Sequence, residues 1–369
     1  MDFSRLAPLV PASLRLHRVS LHLTSPVQAA HGLHGERNVV LVELNEGWGE
    51  CGAPDNPAYS GESADAAYEA LSDIFFPLLK SQFTTREIPM SAVDLRALIG
   101  EHHPDALVRF PMAVAALEMA LLDAQLRADN IDFTQCFTTR TTGDALAGAT
   151  LGNTGSLDEL TLSAAVAVRE GYGRIKMKIA PNYDIEPIRA VHSALPDHVM
   201  LVADANGSYG ADDLAHVAAL HELGLDLVEQ PFAAHDTATH QALVATATVR
   251  VALDEGVRTT QDALHAALNH ECTDITLKPA KFGYPACVRL LNECHEHGID
   301  AWVGGMFDTG VARWANMRLA THQGATLASD IGSSSRYWES DITTPLETVD
   351  GKALISHLAE AGLSGTPLL

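Results

Sequence analysis

The chain has little cysteine, few basic residues and no long uninterrupted apolar run, and each shortage narrows its class. Its five cysteines (Cys51, Cys136, Cys272, Cys287 and Cys294) form an odd set without a C-x-x-C pair. That argues against a disulfide framework and leads us to expect reduced thiols in a cytoplasm. Only 24 Lys and Arg stand against 47 Asp and Glu, a net charge of −23. Such a field argues against nucleic acid or an anionic membrane as partner, and an anionic substrate would need a pocket that is locally cationic. Glu118 and Asp123 interrupt the longest apolar candidate, so no stretch reaches about 18 residues and no transmembrane helix is expected. The opening Met1-Asp2-Phe3-Ser4-Arg5-Leu6 lacks the charged-then-apolar order of a signal peptide.

What is present is material for a large core and a rhythm. With 369 residues, 47% of them apolar, the chain has the length of two or three domains. Residues 14–23 alternate roughly with period two and 38–44 are rich in Val and Leu, so both read as strands of a small antiparallel sheet. Gly47, Gly49 and Gly52 read as turns, and helices are expected near 63–82, 89–101 and 111–127. From about 141–144 the character changes. Short apolar runs at 146–151, 174–179, 199–203, 225–228, 249–253, 275–277, 301–303 and 325–328 alternate with helical windows. Eight βα steps of aliphatic strands predict a TIM-type barrel, with an open doubly wound sheet as the competing arrangement. A short helical window around 354–361 does not fit another βα unit.

Lys178, Asp204, Glu229, Asp254 and Lys278 recur at intervals of 26, 25, 25 and 24, each where a strand-length run ends. A βαβ step takes about 30 residues or somewhat fewer, so these five would face one another from one rim of the barrel. Like-charged carboxylates about 4 Å apart cost on the order of 4 kcal/mol per pair at an effective dielectric near 20. Three of them therefore need protons or a cation; hard oxygen donors with no Cys or His favour Mg²⁺, with Mn²⁺ as a substitute. The bland alternative is that each acid caps the helix after it. Lys176 and Lys178 lie two apart on one strand and so share a face. A general base wants a pKa near 7 to 8, and a neighbouring ammonium and a divalent cation both push a lysine down towards it. Lys178 is the expected base, Lys176 its tuner, and Lys278 a second acid/base or fixed cation across the mouth. Together they imply removal of a proton next to a carboxylate whose developing charge Mg²⁺ holds.

The order Lys176-x-Lys178, Asp204-x-Asn206, Glu229-Gln230-Pro231, Asp254-Glu255 and Lys278-Pro279 resembles the muconate-lactonizing-enzyme subgroup of the enolase superfamily. Within it the likeness is to o-succinylbenzoate synthases and N-succinylamino acid racemases. Gly47-Trp48-Gly49-Glu50-Cys51, Gly304-Gly305-Met306 with Thr309-Gly310, and Ser329-Asp330-Ile331 extend it. Asp308 stands where a Glu is usual, and Gly256 where Ser is usual. The resemblance implies an α+β capping domain (1–140, joined by a returning segment 331–369) over a (β/α)7β barrel (141–330). It implies that Asn206 supports the metal, that Thr150 contacts the substrate carboxylate, and that Gly305 and Met306 bound the succinyl side. Independently of the resemblance, Tyr59 lies in a Gly/Pro-rich loop that reads either as a lid closing over the mouth or as an ordinary surface loop. The implied partners are a small-molecule carboxylate and, as a symmetric homo-oligomer, further copies of the chain. The implied activity is dehydration of a succinyl-bearing hydroxycyclohexadiene carboxylate, a step of menaquinone biosynthesis; the alternative is racemization of N-succinylamino acids. A Schiff-base aldolase and a non-catalytic binding barrel are the readings from other classes.

Overall fold

The computed structural model describes residues 3–10, 12–29, 32–86, 88–138, 141, 143–152, 156–354 and 361–369. A three-stranded antiparallel sheet comes first: β1 (Leu14–Ala29), β2 (Gly32–Leu44) and β3 (Gly47–Cys51). The expected strands at 14–23 and 38–44 belong to one long hairpin, paired from Leu14↔Leu44 to Ala29↔Gly32 with an irregularity between His22 and Val27. The turns expected at Gly47 and Gly49 are instead β3, and packing explains the glycines. A Cβ on Gly49 would lie 2.0 Å from the Ala116 carbonyl oxygen, and one on Gly47 2.2 Å from that of Ala120. Bare backbone thus lets β3 lie directly on the helix Pro111–Ala128, which is buried throughout 112–126.

The helix expected at 63–82 is divided into Ala64–Ala70, a π turn Leu71–Phe75 and Phe76–Arg86. Pro77, which has no N–H to continue the ladder, stands two residues past the end of the π turn. The helix expected at 89–101 runs Ala92–His102, and a short helix Pro104–Arg109 stands beside it.

Seven parallel strands then hydrogen-bond in chain order and curl into the barrel. They are β4 (Ala149–Thr150), β5 (Arg174–Lys178), β6 (Met200–Asp204), β7 (Leu227–Glu229), β8 (Arg250–Leu253), β9 (Asp274–Leu277) and β10 (Asp300–Val303). The run at 325–328, expected as an eighth strand, is not one. The backbone there closes the circle by isolated bonds: Leu327 N–H to the Ala301 carbonyl, Asp330 N–H to Val303 and Ser329 N–H to Leu146. The run at 146–151 also divides. Ala145–Leu146 pairs antiparallel with Lys352–Ala353, and only Ala149–Thr150 joins β5. Between them Gly148 admits the Arg174 guanidinium, whose Nη2 would lie 2.7 Å from any Cβ there. Val202, Leu227, Ala252 and Trp302 fill the barrel as a cluster of their own, with Arg174 5.2 Å from the Trp302 ring.

Buried carboxylates tie the first 130 residues to the rest. Glu50 of β3 accepts Thr309 N–H (3.0 Å), the Thr309 hydroxyl (2.6 Å) and Ala312 N–H (3.1 Å) at the start of the helix Gly310–Ala320. Asp123 accepts Leu363 N–H, Ser364 N–H and the Ser364 hydroxyl, and also Trp48 N–H. The helical window expected around 354–361 falls largely outside the described residues. All five cysteines are buried. The sequence predicts Cys294, His295 and His297 on one solvated helix face; in the helix Tyr284–His297 Cys294 is instead buried, while His295 and His297 are exposed alongside Arg289, Glu293 and Glu296. Among the described residues no helix is long and apolar enough to cross a membrane.

Glu62 caps the helix Pro111–Ala128 by accepting Met112 N–H and Ala113 N–H, both at 2.9 Å. Burial pushes its carboxyl up to about 7, with those two amides opposing. Above its ordinary value of 4.5 the unfolded chain has released this proton, while the folded chain keeps it until about 7. Stability from this group is therefore complete at low pH and lost as pH rises between those values. Thermal melts from pH 4 to 8 should show the Glu62→Gln variant gaining on wild type as pH rises; a constant difference would refute the assignment.

Candidate active site

Strand register brings the spaced acids together. Lys178 pairs with Asp204 and Asp204 with Glu229. Glu229 pairs with Ala252, so Asp254, two residues further on, faces the same way. Lys278 follows β9, four strands around from β5 and so across the mouth. A cleft offering about 180 Å³ to water-sized occupants lies over this rim. It is lined by Tyr59, Thr150, Lys176, Lys178, Asp204, Asn206, Asp254, Lys278, Gly305 and Met306. Of the expected site residues only Glu229 does not line it; it lies beneath, fully buried, against Lys176.

Each acid stands against an ammonium. Lys176 Nζ donates to Glu229 Oε2 (2.7 Å) and lies 3.3 Å from Asp204 Oδ2. Lys178 Nζ donates to Asp204 Oδ2 (2.8 Å) and Asn206 Oδ1 (2.7 Å). Lys278 Nζ lies 3.2 Å from Asp254 Oδ2 and donates to the Gly305 carbonyl at 3.0 Å. None of the three acids caps a helix: the oxygens of Asp204 and Asp254 are taken up by lysines, by the Tyr59 hydroxyl (2.6 Å to Asp254 Oδ1) and by Asn206 N–H, and Glu229 Oε2 by Lys176. Burial raises the Glu229 carboxyl, and Asp204 and Asp254 add to this against the pull of Lys176. Burial acts in the same sense on Asp204, but Lys178 and Lys176 outweigh it and hold that carboxyl below its usual range. Burial disfavours the Lys176 ammonium, yet Glu229, Asp204 and Asp330 overcome it and hold the pKa well above an ordinary lysine's. Lys176 as it stands is thus a fixed counter-cation.

Four further residues complete the arrangement. Lys281, in the short helix Pro279–Phe282, donates to the Asp254 carbonyl (2.9 Å), Asp254 Oδ1 (3.2 Å) and the Val257 carbonyl (3.1 Å). Gln230 holds the Asp254 loop by accepting Asp254 N–H and Gly256 N–H on its side-chain oxygen. It does so from a left-handed conformation (φ 42°), a strain that side chains tolerate where the surroundings fix them. Asp330 is paired with Arg174, and against the cost of burial Arg174 and Lys176 lower its carboxyl to about 2. Glu255, which accepts from Asn206 Nδ2 at 2.9 Å, is raised to about 7 by burial and by Asp254 and Asp204.

Residues 12–136 match the Mandelate racemase / muconate lactonizing enzyme N-terminal domain, and residues 159–366 match the family described as Enolase C-terminal domain-like. The chain is 33% identical to the N-succinylamino acid racemase of Amycolatopsis sp, covering 97% of this chain and 96% of that one. It is 30% identical to the o-succinylbenzoate synthase of Bacillus subtilis (strain 168), covering 95% and 92%. A solved enolase superfamily member from Listeria innocua Clip11262 superposes with a TM-score of 0.85 at 28% identity, over 96% of this chain and 94% of that one. The chain belongs to the enolase superfamily.

Enolase superfamily members generally use Mg²⁺. Among the described residues no three His, Cys, Asp or Glu side chains close on a common position, because the lysines stand between the acids. The donor set nonetheless fits a hard cation. Glu229 Oε1 is buried without a hydrogen-bond partner among the described residues, an arrangement that costs free energy unless something positive meets it. A lysine ammonium is a compact charge on a flexible four-carbon stem, so it can pair with these acids in place of a metal ion.

Proposed function

We propose that this chain is an o-succinylbenzoate synthase, with racemization of N-succinylamino acids as the second activity of the same site. The observation that carries the reading is the pair Lys178 and Lys278 at opposite sides of one cleft lined by Asp204 and Asp254, with Glu229 beneath against Lys176. The named relatives at 30–33% identity over nearly the whole chain support it.

Asp204, Glu229 and Asp254 would hold Mg²⁺, which supplies stabilization of negative charge gathering on the substrate carboxylate. The neutral amine of Lys178 takes the proton α to that carboxylate. The C–H electron pair becomes a ring double bond as the C–O bond breaks, and the new Lys178 ammonium returns the proton to the departing hydroxide, which leaves as water. One base suffices because both groups leave from the same face. Lys278 faces the ring from the other side and supports the charge that develops there. Racemization needs a proton removed on one face and delivered on the other, and two lysines at opposite sides of the cleft support that second activity. Tyr59 and Met306 help exclude water at the rim.

Incubation with Mg²⁺ and the hydroxycyclohexadiene precursor should produce a loss of the precursor's absorbance as the ring aromatizes, and chelator should abolish it. No loss, accompanied by α-proton exchange on N-succinylamino acids, would make racemization the principal activity.

A further inference from the structure

A buried guanidinium at the capping side of the cleft is not used by the chemistry above. Arg37 lies on β2, is 5% exposed and lines the same cleft as Lys176, Lys178 and Lys278. Its Nε and Nη2 are both buried without a hydrogen-bond partner among the described residues. These two nitrogens form the side-on edge of the guanidinium, the pair that meets both oxygens of a carboxylate at once.

The acids near Arg37 are engaged elsewhere. Glu50, whose carboxyl feels the Arg37 charge, has its oxygens on Thr309 and Ala312. Asp308, on the cleft wall, has Oδ2 on Met306 N–H and Asn316 Nδ2. Glu36 and Asp55 line the mouth but are exposed to water. The other cleft guanidinium, Arg313, has Nη1 and Nη2 on the Gly332 and Asp308 carbonyls and its plane against Tyr337. Among the described residues Arg37 is therefore the cleft arginine with a whole two-donor edge to offer. A buried cation left so is costly unless a ligand anion completes it.

We propose that Arg37 is the specificity-determining residue that binds a second carboxylate, at the end of the substrate remote from the reacting carbon. The lysine-bearing rim serves the reacting carboxylate, while Arg37 belongs to the capping sheet. Leu23, Met306, Phe307 and Tyr337 line the same cleft with apolar surface suited to a short methylene chain. The inference deepens the functional reading and rests on it: the succinyl tail is the group that carries such a second carboxylate. It also shows how a chain of net charge −23 makes its pocket cationic.

The test is equilibrium binding by calorimetry, in Mg²⁺, of o-succinylbenzoate and of 2-butanoylbenzoate, whose terminal methyl replaces the tail carboxylate. Wild type should bind the first more tightly by roughly 10- to 100-fold, the range of a charge-assisted bidentate contact. Arg37→Gln should lose that preference by weakening only the first ligand, and Arg37→Lys should restore part of it. Preference unchanged in Arg37→Gln, or both affinities falling in parallel, would overturn the proposal. The same comparison with N-succinyl- and N-butanoyl-phenylalanine covers the racemase reading. If wild type binds neither pair, the substrate reading itself has failed, a result distinct from binding that ignores Arg37.

Discussion

Replacing Lys178 with alanine is expected to lower turnover by roughly 10²- to 10⁴-fold, the usual contribution of a general base, without unfolding the protein. Lys178 is only partly buried, and its losses on truncation are two hydrogen bonds, to Asp204 and Asn206. Asp204 would keep Lys176 at 3.3 Å as counter-ion, so the rim is not left with an unpaired charge. Lys278 provides the contrasting case. If dehydration runs through one base, Lys278→Ala should slow it less than Lys178→Ala does, whereas racemization should fail in both. Precursor consumption and α-proton exchange, measured on each variant with circular dichroism as the folding control, separate these outcomes. Near-wild-type turnover by Lys178→Ala would show that the base lies elsewhere.

The parts of this site that could be read in the sequence are those that obey a period. A strand and its return helix take a nearly fixed number of residues, so acids at the ends of β6 and β7 and just past β8 recur every 25 or so, and register does the rest. Lys281 breaks that rhythm. It sits in a single helical turn after Pro279 and reaches Asp254 by folding back, a contact that no strand-end rule finds. Asp330 is quoted from the sequence only within Ser329-Asp330-Ile331 and given no role there, and the run at 325–328 before it, which reads as a strand, closes the barrel by isolated bonds instead. Arg37 lies on a strand that was recognized only from residue 38 onward, and nothing in its spacing marks a free guanidinium. The glycines of β3 were misread because local sequence shows conformational freedom, while what selected them was the backbone of a helix some 70 residues away. Periodicity carried the catalytic rim; contacts between distant segments carried its supports.

The second large effect concerns Glu229. Its burial, with Asp204 and Asp254 nearby, makes the carboxylate unfavourable in the metal-free chain; Lys176, hydrogen-bonded to it, opposes this most, and Lys278 adds to that opposition. Glutamine has the same shape, keeps an oxygen for the Lys176 ammonium and removes the charge, while Lys176 retains Asp204 at 3.3 Å and Asp330 at 3.9 Å. Glu229→Gln should therefore leave the metal-free melting temperature within a few degrees of wild type. Metal binding should respond in the opposite way. A cation that binds only the folded wild type at 100 times its Kd adds about 2.7 kcal/mol of stability, which a thermal melt with and without Mg²⁺ reads directly. The variant should lose most of that gain. Its turnover should fall by more than the roughly 10- to 100-fold typical of groups one step removed from a metal. A full Mg²⁺-induced shift in Glu229→Gln would remove Glu229 from the metal site. A collapse of the metal-free protein would instead mean that Glu229 is held mainly as the partner of Lys176. The expected pattern, a quiet metal-free melt and a lost response to Mg²⁺, is that of an acid kept at a cost in stability because a cation needs it.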